Sequence, residues 1–109
     1  MAAPQITALA HHPHLSQVAC GYSDGTIRLW NITSGNVDAT FAGHRSAVST
    51  LKYAADGSLL ASGGRDTDIV IWDVVSEAGL YRLKGHRGQV SIGHEPTTTS
   101  RLLFFHTLA

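Results

Sequence analysis

With a single cysteine, Cys20, the 109 residues hold no internal disulfide, and a reducing compartment suits them. Long apolar runs are missing too. The longest, LLFF at residues 102–105, falls far short of the roughly 20 residues a spanning helix needs, so no membrane association is expected. The first ten residues, MAAPQITALA, place no positive charge ahead of the apolar ones, which speaks against a secretory leader. Nor is there an excess of charge. Eight Lys and Arg balance eight Asp and Glu, so nothing electrostatic favours direct contact with nucleic acid or anionic lipid. What is present is 43% hydrophobic residues, eleven glycines and three prolines, the composition of a small globular domain. A cytosolic or nuclear protein is expected.

The chain repeats itself. An offset of 42 residues sets Leu9 over Leu51, Ala19 over Ala61, Gly21 over Gly63, Asp24 over Asp66, Ile27 over Ile69 and Trp30 over Trp72 without a gap. It also sets Gly43-His44-Arg45 over Gly85-His86-Arg87. Each unit reads as four short strands separated by turn residues. The expected strands are Ile6–Ala10, Gln17–Gly21, Thr26–Asn31 and Val37–Phe41, then Val48–Tyr53, Leu59–Gly63, Asp68–Val74 and Gly79–Lys84. Four strands in a repeat of this length predict an antiparallel propeller blade.

Gly43-His44 followed by Trp72-Asp73, with SGGRD at residues 62–66 and IVIWD at residues 69–73, resembles the WD-repeat family. The resemblance covers about residues 4 to 91. It implies an all-β fold, with two four-stranded antiparallel blades of an incomplete β-propeller and an irregular C-terminal tail. The boundaries are 1–42 for blade one, 43–84 for blade two, 85–91 for the start of a third repeat and 92–109 for a tail unlike the rest. Blade one departs from the pattern. It ends in Trp30-Asn31, has Cys20 where blade two has Ser62, and has Ala2 where the histidine belongs.

The same resemblance implies a structural role for His44, Ser62, Asp66 and Trp72, joined in blade one by Asp24 and Trp30. Donor and acceptor chemistry agrees. A buried indole N–H needs an acceptor, which a strand serine supplies. That hydroxyl bonds an imidazole, whose other nitrogen donates to the turn carboxylate. With so few of these groups, blade one is expected to be the looser. A Ser–His–Asp hydrolase is the competing reading of the same residues. It has against it a serine inside a strand, with no G-x-S-x-G elbow and no evident oxyanion hole. No catalytic residue, cofactor or metal is expected.

His11, His12 and His14 in HHPH invite a metal, perhaps with Cys20 or His94. Adjacent histidines on an extended chain point apart, however, and Pro13 marks a solvent-exposed turn as the expectation. Arg45, Arg65 and Arg87 stand in loops that the family presents on one face, and arginine is enriched where interfaces carry most energy. These three are the expected partner contacts.

The stretch RDTDIVIWDVVSEAGLYRLKGHR, residues 65–87, is also similar to blades of nucleolar WD-repeat proteins of the small-subunit processome. That implies a scaffold in pre-rRNA processing, with other WD-repeat proteins as partners and with snoRNA and pre-rRNA reached through them. A generic WD-repeat adaptor in ubiquitin ligation or signalling is the alternative, and a truncated product without function is another. The last follows from Ser91 onward. Gly93 falls where Leu51 stands one repeat earlier, Glu95-Pro96 ends any strand, and no further Trp-Asp appears. Two blades with uncovered faces are expected to self-associate.

Overall fold

A computed structural model describes residues 3–83, 90–92 and 105–107. Its strands are β1 (Ile6–His11), β2 (Gln17–Tyr22), β3 (Thr26–Asn31), β4 (Val37–Ala42), β5 (Val48–Tyr53), β6 (Leu59–Gly64), β7 (Ile69–Asp73), β8 (Ala78–Leu83), β9 (Val90–Ile92) and β10 (Phe105–Thr107). β1 to β4 form one antiparallel meander and β5 to β8 a second, while β9 pairs with β10. These are the two expected blades, and each strand lies within two residues of its expected ends.

Residue chemistry explains the strands. In β3, Ile27 and Leu29 are buried while Arg28 between them is exposed, and in β4 Ala39 and Phe41 alternate with exposed Asp38 and Thr40. β7, an unbroken IVIWD, is buried on both faces up to Asp73, as befits an inner strand covered on each side. The repeat extends to irregularities. β1 shifts register against β2 between Ile6 and Ala8, and β5 does so against β6 between Val48 and Thr50, 42 residues on. A second pair of shifts falls at Leu29/Trp30 and Ile71/Trp72, so each bulge belongs to the blade design.

The Trp-Asn ending of blade one is also explained. Asn31 Oδ1 accepts the Ser34 amide at 3.0 Å, and Asp73 Oδ1 accepts the Ser76 amide at 3.1 Å. Either residue closes the turn after the third strand, because an amide and a carboxylate oxygen accept alike.

The blades stack face to face. Ala19, Ile27, Leu29, Ala39 and Phe41 of blade one meet Val48, Leu51, Tyr53, Leu60, Val70 and Trp72 of blade two in one buried core. Phe41 stacks on Trp72 with ring centroids 4.4 Å apart and planes 10° from parallel. At the seam Thr7 Oγ1 donates to the Val48 carbonyl at 2.6 Å, and the Tyr53 hydroxyl donates to Gln17 Oε1 at 2.7 Å.

Candidate functional site

The polar centre of the molecule belongs to blade two. β6 carries Ser62 and β7 carries Trp72, two strands that are directly hydrogen-bonded, so both side chains project from the same face. Trp72 Nε1–H donates to Ser62 Oγ at 2.9 Å. His44 Nε2 lies 2.8 Å from that oxygen, and His44 Nδ1 lies 3.1 Å from Asp66 Oδ1. Asp66 accepts two backbone amides as well, from Arg45 at 2.9 Å and Asp68 at 3.1 Å. The loop entering β5 and the turn from β6 to β7 are thereby fastened together.

Two glycines make room for this. A Cβ on Gly43 would stand 2.4 Å from the Trp72 ring, and one on Gly64 would stand 2.5 Å from both Asp66 Oδ1 and His44 Nδ1. Glycine next to the histidine is therefore needed for the indole, and glycine before the turn for the His44–Asp66 hydrogen bond. Thr67 takes φ +67°, where blade one has Gly25 at +91°. Blade two thus holds a β-branched residue in the left-handed region, at a cost of order 1 kcal/mol.

Electrostatics fixes the protons. A carboxylate only accepts, so His44 Nδ1 carries the ring proton and donates to Asp66. His44 Nε2 is then the acceptor for the Ser62 hydroxyl proton. The other acceptor within range, the Val70 carbonyl, is more distant at 3.5 Å. Burial holds the His44 imidazole below its ordinary value of 6.5, against the upward pull of Asp66. Burial also acts to raise Asp66, but the amides of Arg45 and Asp68 and the His44 bond outweigh it and leave that carboxyl below the usual range.

The order Ser–His–Asp is that of a hydrolase, yet the geometry supplies no nucleophile. Ser62 is completely buried. Its oxygen already receives the Trp72 N–H, and its only proton is committed to His44. A substrate carbonyl has no path to it.

Blade one is organised differently. Asp24 and Trp30 do not share a network. Asp24 Oδ1 accepts the Thr26 amide at 3.0 Å and the Thr26 hydroxyl at 2.6 Å, and so closes its own exposed turn. The Trp30 indole donates to the Tyr22 hydroxyl at 3.1 Å. Cys20, where a serine would stand, is buried, and burial pushes its thiol up and keeps it unreactive. Lacking a good acceptor in the serine position, the indole takes a tyrosine from the end of β2. Tyr22 faces Gly64 across the repeat, so the offset gave no signal for it.

HHPH is not a wholly exposed turn. His12 is buried against Tyr53, ring centroids 4.9 Å apart, while residues 13–16 remain exposed. Its Nδ1 accepts the amides of His14 and Leu15, each at 3.0 Å, so the ring caps its own turn. The sequence pattern hides this, because Tyr53 is 41 residues away and its repeat mate is His11. Among the described residues no group of three His, Cys, Asp or Glu is arranged to hold a metal ion. His94 lies outside them.

Arg45 and Arg65 are exposed and lie at one end of blade two, since Arg45 N–H donates to Asp66 and Arg65 N–H donates to the Ala47 carbonyl at 3.0 Å. Arg87 lies outside the described residues. A third arginine, Arg82, was not apparent from the repeat because its mate is Thr40. It pairs with buried Asp68 at 2.9 Å and also donates to the Gly43 carbonyl. With Arg45 it lines an open cleft of about 240 Å³ formed by Ala42, Gly43, His44 and Asp68. This basic, polar end of blade two is the candidate contact surface.

Comparison with known proteins is consistent with this geometry. The family model described as "WD domain, G-beta repeat" matches residues 2–31 and 35–73. An uncharacterized WD repeat-containing protein of Schizosaccharomyces pombe is 35% identical over 97 residues, which cover 86% of this chain and 26% of the relative. The periodic tryptophan protein 2 homolog of the same organism is 38% identical over 77 residues, covering 70% of this chain and 9% of that one. Among solved structures, the RRP9 WD40 repeats superpose with a TM-score of 0.75 at 33% identity, over 84% of this chain and 29% of theirs. The chain thus spans about a quarter or less of the curated relatives it matches.

Proposed function

The chain belongs to the WD-repeat family, and on that premise we propose that it is a binding scaffold in assembly of the small ribosomal subunit. Proteins of this family are in general non-enzymatic scaffolds. The polar side chains best suited to chemistry, His44, Ser62 and Asp66, are consumed by internal hydrogen bonds, while Arg45 and Arg65 face outward. Such a division between interior and rim suits a protein that works by contact.

The ribosomal assignment is carried by residues 65–87, which resemble a blade of the nucleolar processome component called WD repeat-containing protein three. By that resemblance the chain resides in the nucleolus, within a subcomplex of propeller proteins on a box C/D small nucleolar RNA and pre-rRNA. Its formal charge of zero supplies no overall basic excess to favour a phosphate backbone. RNA is therefore reached through neighbouring proteins.

Affinity purification of the tagged chain from nuclear extract tests this reading. Pre-rRNA and box C/D RNA are expected well above a tag-only control, and nuclease treatment is expected to leave the partner propeller proteins bound. The double variant Arg45→Ala/Arg65→Ala is expected to lower partner recovery about tenfold, the scale of a moderate interface arginine. RNA at control level, with subunits of a ubiquitin ligase or a signalling complex recovered instead, would assign the chain to a generic adaptor.

A further inference from the structure

The seam between the blades opens outward into a groove whose two walls both belong to the described residues. β8 is the outer strand of its sheet, and Arg82 pairs with Val70 of β7, so Arg82 and Leu80 lie on the face of blade two that blade one covers. Blade one reaches Val70 and Trp72 in the shared core, with Phe41 stacked on the indole. Leu80, further out, is left 46% exposed beside an open hollow of about 340 Å³ floored by Val70, Trp72 and Gly79. A Cβ on Gly79 would stand 3.3 Å from the Trp72 ring, so glycine keeps that floor clear. The blade design does not ask for Leu80. In blade one the matching places are Asp38 for Leu80 and Thr40 for Arg82, both polar and exposed.

At Arg82 this apolar hollow meets the polar cleft of Gly43, His44 and Arg45. The accessible charge there is of one sign. The carboxylates of Asp66 and Asp68 are each only 4% exposed and already bound, whereas the Arg82 side chain is 35% exposed and Arg45 is exposed as well. We infer that the groove takes an extended acidic segment of a partner protein. One large apolar side chain of that segment lies between Leu80 and the edge of Trp72, and an Asp or Glu beside it meets Arg45 and Arg82. A phosphate backbone would use the arginines and leave Leu80 idle. Nor does Trp72, 7% exposed and stacked on Phe41, offer a base an open platform. The inference rests on the scaffold reading, whose contact residue Arg45 it shares, and not on the ribosomal assignment.

Panning a random-peptide display library on the immobilised full chain tests this, followed by fluorescence anisotropy of the enriched peptide. Enriched sequences are expected to place Asp or Glu beside a large apolar residue. Leu80→Ser and Arg45→Glu, both at exposed positions, are each expected to weaken that peptide about tenfold. Exchanging its acidic residues for Lys is expected to abolish binding to wild type and to restore it to Arg45→Glu. Leu15→Ser, which removes another exposed apolar side chain in the turn after β1, is expected to leave affinity unchanged. Absence of enrichment, enrichment of basic or purely apolar sequences, or an affinity that Leu80→Ser leaves intact would overturn the proposal. So would displacement of the peptide by an equal concentration of oligouridylate. The two readings fail separately. If Arg45→Ala/Arg65→Ala lowers partner recovery from extract while Leu80→Ser leaves peptide binding intact, the groove falls and the scaffold stands. If the peptide binds as expected while pre-rRNA stays at control level, the groove stands and the ribosomal assignment falls.

Discussion

Trp72→Ala is expected to lower the unfolding free energy by about 3–5 kcal/mol, the range for removing a large buried aromatic. The indole is buried, stacks on Phe41, and supplies the N–H at the head of the Ser62–His44–Asp66 chain. Its loss opens a cavity in the one core the two blades share and leaves Ser62 with one bond fewer. At roughly 4–8 °C per kcal/mol for a domain of this size, the melting midpoint should fall by at least about 12 °C. Trp30→Ala is the built-in control. That ring is only half-buried and donates to a tyrosine hydroxyl outside any network, so its removal should cost markedly less. Thermal melts of the two variants followed by circular dichroism make the comparison. Equal losses would mean that the blades depend on their tryptophans alike and that the network adds nothing.

Asp66→Ala carries the second largest expected effect, about 2–3 kcal/mol. One carboxylate serves the His44 ring and the amides of Arg45 and Asp68. Alanine leaves the buried imidazole without its acceptor, and desolvation is the dominant part of that cost. Asp66→Asn, which keeps one acceptor oxygen, should recover about half. Asp24→Ala, at the same place in blade one, should change stability by no more than about 1 kcal/mol, because Asp24 serves only its own exposed turn. Chemical denaturation of the three variants measures these differences. An Asp24→Ala loss as large as that of Asp66→Ala would contradict the unequal roles assigned to the two carboxylates.

The contrast between those carboxylates also shows where sequence reasoning reaches and where it stops. Alternation such as Ile27–Arg28–Leu29 and the 42-residue offset place every blade strand, because burial on one face and repetition are local signals. The order Trp72, Ser62, His44, Asp66 can likewise be read from donor and acceptor types. Contacts that have no counterpart in the other blade cannot. Tyr22 receives the Trp30 indole, His12 packs under Tyr53, and Arg82 bridges Asp68 and the Gly43 carbonyl; the mates of Tyr22, His12 and Arg82 are Gly64, Ala54 and Thr40. Each depends on which side chain the fold happens to bring within reach, and periodicity holds no information about that.

The central claim is that the Ser–His–Asp set of blade two is a closed structural circuit and not a poised catalytic one. Nitrogen-detected NMR of the His44 ring across a pH titration tests it most directly. The account predicts a neutral ring at pH 7, protonated on Nδ1 and unprotonated on Nε2, that stays neutral as pH falls through 6.5, the ordinary value from which burial lowers it. Because the unfolded chain takes up that proton first, stability should decline over the same interval below 6.5 and level off only once the folded ring is charged. A ring that is charged at pH 7, or that exchanges freely between tautomers as an open catalytic imidazole does, would contradict the account.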